Sequence, residues 1–171
     1  MIDQDDYWGH AEALLRHGLR LPDEISCRRA ISATYYGLFH ALCNESAALI
    51  APSDPVLRNQ VRRSFNHRTM RNVCDSFVKA QGKSFPQPYD RLLPASPNAG
   101  LFLVAEAFTE LQEARHTADY DLAATISWNE ANRLTILGYT AWTLCKTILL
   151  LPETQVFLTA LLLSDRWTRR G

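Results

Sequence analysis

Between Ala30 and Leu42 the chain reads Ala-Ile-Ser-Ala-Thr-Tyr-Tyr-Gly-Leu-Phe-His-Ala-Leu, which is apolar on nearly every side of a helical wheel. An amphipathic surface helix has one apolar stripe, whereas a helix apolar all round has to be enclosed by other elements. The segment therefore predicts a central buried helix inside a multi-helix body. Leu21-Pro22-Asp23-Glu24 opens this helix, since proline is tolerated in a first turn and acids suit the positive end of the dipole. It is expected to run to about Ile50.

The remaining periodicity is helical too, and no convincing pair of alternating strand segments occurs. A first helix is expected over Asp5 to His17, with Gly18 as its stop. Asp54 is a good N-cap for a helix starting at Pro55, with Leu57, Val61 and Phe65 on one face. Asn66 or His67 restarts the chain, and Met70, Val73, Cys74, Phe77 and Val78 then follow the i, i+3, i+4, i+7, i+8 pattern. Residues 82–100 hold Pro86, Pro88, Pro94 and Pro97 and read as an irregular loop. Leu101, Val104, Ala105, Phe108 and Leu111 form the clearest stripe, and Arg115 falls almost on the Phe108 face two turns on. Ser127-Trp128-Asn129-Glu130 has the capping-box form and starts a helix to about Leu150. After Pro152 a short amphipathic helix and a basic tail (Arg166, Arg169, Arg170) complete an all-α chain of four to six helices. The expected organisation is a single-domain bundle over residues 1–151, followed by residues 152–171.

The 171 residues carry 18 basic and 18 acidic side chains, so the net charge is zero. This argues against a wholly cationic nucleic-acid coat or a polybasic membrane binder. Lys146, Pro152 and Glu153 interrupt the apolar run from Leu144 to Leu163, so no membrane span is expected. The acidic start is unlike a signal peptide, and Cys27, Cys43, Cys74 and Cys145 form no C-x-x-C pair. A cytoplasmic protein with buried thiols is expected. No G-x-G-x-x-G, P-loop or G-x-S-x-G pattern occurs, and His10 and His17 have no third ligand on their face. Neither a cofactor nor a metal is expected.

Charge placement is uneven. No acid lies between Asp54 and Asp75, where Arg58, Arg62, Arg63, Arg68 and Arg71 all fall. The stretch from Glu106 to Glu130 is acidic instead. The basic run fits a phosphate-backbone contact surface, and equally an internal or dimer contact with the acidic stretch. His67 sits among those arginines, where neighbouring positive charge lowers a histidine pKa and suits a general base; a solvated cap residue is the other reading. Arg115 on an apolar stripe needs an acceptor. That is either an i, i+4 pair with Asp119 that ties down the helix end, or a phosphate met by a guanidinium that Asp119 orients. Tyr35, Tyr36, Phe39 and His40 read as a core aromatic cluster in which Tyr36 and His40 are an i, i+4 pair.

Three blocks in order resemble the HEPN superfamily, the higher-eukaryote and prokaryote nucleotide-binding helical domains. They are Arg29 to Ala41 with its Tyr-Tyr and Phe-His pairs, His67 to Gly82, and Arg115-His116-Thr117-Ala118-Asp119-Tyr120-Asp121. The last is similar to the R-x-x-A-D-Y-D block of one prokaryotic subgroup. With the helix from Ser127, the likeness spans residues 5–150. It implies an antiparallel bundle of four core helices plus short accessory helices, commonly a homodimer with a cleft at the interface.

The resemblance also implies RNA or nucleotide as ligand, a toxin–antitoxin or phage-defence setting, and a nucleotidyltransferase-type antitoxin as partner. Many members resemble metal-independent ribonucleases with an R-x4-6-H motif, in which arginine holds the phosphate and histidine moves the proton. The family arginine corresponds to Arg115, but Tyr120 stands where the histidine would be. The expected catalytic set is therefore Arg115 with Tyr120 or His67, and the expected phosphate contacts are Arg62, Arg63, Arg68, Arg71 and Asp119. The alternative is a non-catalytic dimeric helical module for protein–protein interaction.

Overall fold

The computed structural model describes residues 4–16 and 22–167. Gly18, the expected stop of the first helix, and the tail residues Arg169 and Arg170 lie outside them. Every regular element among the described residues is helical. The seven α-helices are α1 (Gln4–Leu15), α2 (Glu24–Ile50), α3 (Pro55–Arg62), α4 (His67–Ala80), α5 (Ala99–Tyr120), α6 (Trp128–Ile148) and α7 (Pro152–Trp167). This is one more than the upper end of the expected count.

The helix starts follow local capping chemistry. Asp23 caps α2 by accepting from the Ser26 amide at 2.7 Å, so Pro22 precedes the cap instead of occupying the first turn. The Asp54 carboxylate accepts from Val56 and Leu57 at the head of α3, and the Asn66 side chain accepts from Arg68 and Thr69 at the head of α4. Ser127 Oγ accepts from the Glu130 amide at 3.2 Å. The Glu130 carboxylate pairs with Arg133 at 2.8 Å, so its first partner is an arginine one turn on.

The chain forms two compact units, residues 1–41 with 107–143 and residues 42–106 with 144–171. The first unit is packed around the apolar half of α2. Ile31, Thr34, Tyr35 and Leu38 are buried there, with Trp8 and Ala11 of α1, Phe108 and Leu111 of α5, and Ala131 and Leu134 of α6. Close approach at α6 depends on Gly138, where an added Cβ would sit 2.6 Å from the Thr34 methyl. The two buried threonines Thr34 and Thr135 meet there, hydroxyl to hydroxyl, at 3.0 Å.

In the second unit α4 packs on α7. Phe77 is the hub, with ring centroids 4.9 Å from Phe157, 5.0 Å from Phe85 and 5.7 Å from Tyr89. The Pro-rich segment is irregular over residues 82–98 apart from a single 3-10 turn at Tyr89–Arg91, and α5 begins at Ala99, inside the expected loop. The segment is nevertheless anchored, because Phe85, Tyr89 and Leu93 are all buried. Helix α7 is 16 residues long and buries Phe157, Leu158 and Leu161, so it is a packed element of this unit. The apolar face expected on α3 is weak: no residue of that helix is buried, and Leu57 is exposed.

Candidate functional site

From Ala30 to Leu42 every residue of α2 is buried except Ser32, Tyr36 and His40. Spacing by four places these three side chains on one line along the helix. Side chains from two other helices of the same unit meet that line. From α5, Arg115 Nη2 donates to the Tyr36 hydroxyl at 2.9 Å, and Asp119 Oδ1 accepts from the Ser32 hydroxyl. From α1, the Tyr7 ring stacks on His40 with centroids 5.2 Å apart and lies 6.1 Å from Tyr36. The result is a polar seam in an otherwise apolar unit.

Arg115 lies at its centre. Its Nε is 2.7 Å from Asp119 Oδ2, one helical turn along. The Nε–H points off that line, so the contact is a charge pair and not an aligned hydrogen bond. The guanidinium also lies 5.5 Å from the Tyr36 ring centroid and 5.3 Å from that of Tyr120. Burial disfavours its charge, but the Asp119 carboxylate and the Tyr36 and Tyr120 hydroxyls outweigh burial and hold its pKa above the ordinary arginine value. Arg115 is therefore a permanent cation, oriented on two sides and still 22 % exposed.

The i, i+4 pair of Arg115 with Asp119 is present, and the guanidinium keeps an exposed edge. Tyr120 is 62 % exposed and carries the guanidinium at its ring. His116 lies with its ring 5.1 Å from that same tyrosine. Tyr35 and Phe39 turn inward: Tyr35 is fully buried and lies 5.6 Å from Phe108. The aromatic cluster thus divides, with Tyr35 and Phe39 in the core and Tyr36 and His40 in the seam.

Arg28 of α2 ties down the end of α5 and was not singled out from the sequence. Its guanidinium donates to the carbonyls of Ala118 at 3.0 Å and Asp121 at 2.9 Å, and also to Ala124. Those carbonyls lie at and beyond the C-terminal end of α5, where the last four of a helix lack internal partners. Glu24 holds Arg28 at 2.8 Å and accepts from the Ile126 amide at 3.4 Å. The Arg28 hydrogen bond lowers the Glu24 pKa. The one sequence signal was the Glu24–Arg28 i, i+4 spacing.

The other predicted residues belong to the second unit. His67 is the exposed first residue of α4. Arg62 is half-buried, Arg63 is the exposed C-cap of α3, and Arg71 pairs with Asp75 at 3.5 Å. Arg68 is exposed and lines a cleft with Arg166. Arg58 donates to the carbonyls of Ala51 and Pro52 just beyond α2. The acidic stretch is largely used locally: Glu110 and Glu130 both pair with Arg133, at 2.6 and 2.8 Å, and Asp121 caps its own turn.

Among the described residues no group of three or more His, Cys, Asp or Glu side chains is placed to hold a metal ion, and no helix is long and apolar enough to cross a membrane. Comparison with protein-family models, with curated proteins and with solved structures finds no match.

Proposed function

We propose that the chain is a HEPN-type RNA- or nucleotide-binding protein of a toxin–antitoxin or phage-defence system, with Arg115 as its phosphate contact. One observation carries this reading. A permanently charged guanidinium, oriented by Tyr36 and Asp119, keeps an exposed edge. Such a group offers a phosphate charge-assisted hydrogen bonds with little reorganisation. Asp119, which accepts from Ser32, sets the guanidinium's place, while the Tyr120 ring lies beside the guanidinium and the His116 ring beside Tyr120. On this reading the active form is a cytoplasmic homodimer paired with a nucleotidyltransferase-type antitoxin, and phosphate binding is the function assigned to Arg115.

The test is binding of structured RNA in the presence of EDTA, with wild type and Arg115→Ala compared over a range of salt. Binding that weakens with salt and is largely lost in the variant supports the reading. Equal binding by both proteins, or none by either, overturns it. Metal-independent cleavage that disappears in Arg115→Ala adds ribonuclease activity. A protein-interaction module is the second reading, favoured by the exposure of Ile25, Tyr120 and Leu122 where Glu24 and Arg28 join the segment after α5. A stable complex with a partner protein, without RNA affinity, would select it.

A further inference from the structure

We propose that the second unit carries a separate binding cleft for a nucleoside monophosphate, between α4 and α7. The cleft has a volume of about 660 Å³ and is lined by Asn66, Arg68 and Thr69 from the head of α4, with Asp165 and Arg166 from the end of α7. Arg68 and Arg166 both line it, and neither guanidinium is paired with a carboxylate among the described residues. The nearby acid is already engaged, since Asp165 Oδ2 accepts from the Thr69 hydroxyl at 2.6 Å. Two unpaired guanidiniums lining one cleft offer an anion two rigid donor forks. The helix end is not what supplies the charge, because the Arg68 and Thr69 amides are already bonded to Asn66.

The neighbouring surface defines the rest of the ligand. A second cleft, of about 690 Å³, shares Leu163 and Arg166 with the first and is lined further by Pro88, Leu92 and Trp167. Trp167 is half-exposed, and its ring is held near edge-to-face against Tyr89 with centroids 6.2 Å apart. Arg166 thus stands between a polar end with a second arginine and an apolar end with an indole. A phosphate monoester with a flat aromatic body matches both ends, the phosphate on Arg68 and Arg166 and the ring system on Trp167. The Asp165 carboxylate on the polar side disfavours a bare anion and offers an acceptor for a sugar hydroxyl. Every residue of this cleft is remote in sequence from the Arg115 seam, and the assignment does not depend on that seam.

Calorimetric titration of the full chain with adenosine 5′-monophosphate, uridine 5′-monophosphate, adenosine and inorganic phosphate tests the assignment. Both nucleotides are expected to bind more tightly than adenosine or phosphate. Arg68→Ala and Arg166→Ala should each weaken nucleotide binding about tenfold, the loss of a charge-assisted hydrogen bond. Trp167→Leu, which keeps an apolar side chain, should weaken nucleotide binding about tenfold while leaving phosphate binding unchanged. Arg115→Ala should leave in place the nucleotide binding that is lost in Arg68→Ala and Arg166→Ala, whatever it removes at the seam. No nucleotide binding, or binding indifferent to both arginine variants, overturns the assignment. So does binding lost only in Arg115→Ala, which would place the nucleotide at the seam instead. Should Trp167→Leu fail to fold, the two arginine variants decide alone.

Discussion

Arg115 Nη2 donates to the Tyr36 hydroxyl at 2.9 Å while its Nε faces Asp119 at 2.7 Å, so two helices hold one guanidinium. The two contacts differ in kind. The pair with Asp119 lies within α5, whereas the bond to Tyr36 crosses to α2 and sets the guanidinium's direction. Tyr36→Phe removes the crossing bond while keeping the ring, and should cost about 0.5–1.5 kcal/mol of stability. Its effect on RNA should be larger than that figure suggests, because the freed guanidinium must be reordered on binding. A denaturant melt beside an RNA titration separates the two effects; an unchanged RNA affinity would show that Tyr36 does not orient Arg115.

Arg28 is expected to be the most sensitive charged residue in the first unit. Its side chain is only 14 % exposed and satisfies the Ala118 and Asp121 carbonyls. Arg28→Ala leaves those acceptors short of donors and should cost roughly 2–3 kcal/mol. Arg28→Lys keeps the charge but cannot reach several carbonyls with one planar fork, so most of that loss should remain. Thermal melts of the two variants make the comparison, and full recovery in the lysine variant would assign the effect to charge instead of geometry.

The four cysteines are predicted to be unreactive in the folded protein. All four are buried, and burial pushes each thiol pKa up, that of Cys145 to about 12. Alkylation needs the thiolate, so iodoacetamide near pH 8 should modify none of them until denaturant is added. Mass spectrometry before and after unfolding gives the count. Rapid modification of Cys43 or Cys74 in the native protein would contradict this burial.

Glu45 gives stability a pH dependence opposite to that of the usual carboxylate. Burial raises its pKa in the folded chain, and the Lys146 charge only partly offsets this. The folded state therefore binds the Glu45 proton more tightly than the unfolded chain does. Its contribution is fully favourable below the unfolded carboxylate pKa and declines as pH rises through the folded one. Glu45→Gln should raise the melting temperature at pH 7 and leave it nearly unchanged at pH 4. An equal gain at both pH values would mean that the change acts through something other than ionisation.

The elements proved more legible than the seam. Residues such as Leu101, Val104 and Phe108, or Asp54 and Asn66, declare themselves within one or two helical turns, and the structure buries or caps with them as expected. The contacts that build the seam join residues far apart in sequence, as with Ser32 and Asp119, 87 positions apart. No local pattern carries such a partner. One clue was present: in the apolar run of α2, the polar-tipped residues Ser32, Tyr36 and His40 recur every fourth position, which marks the side that a polar neighbour must cover. The loop with four prolines misleads for a related reason, because Phe85 and Tyr89 find Phe77 only once α4 is in place.

Gly138 lets two opposing effects be compared directly. Alanine is about 1 kcal/mol better than glycine inside a helix, so in isolation Gly138→Ala would strengthen α6. In the folded chain the new methyl would meet the Thr34 Cγ2 at 2.6 Å and side-chain atoms of Leu111 and Trp8 at 3.1 Å. All three neighbours are in the packed interior of the first unit, and such overpacking costs about 1–3 kcal/mol. The steric term should win, so Gly138→Ala is expected to lower stability. Thr34→Ser removes the nearest methyl and keeps the hydroxyl that bonds to Ala30 and Thr135. Combined with Gly138→Ala it should therefore recover much of the loss. A double-mutant cycle by denaturant unfolding measures this coupling. A cycle that closes with no interaction energy would show that the helices separate freely at this point, and that Gly138 is not what lets α2 and α6 approach.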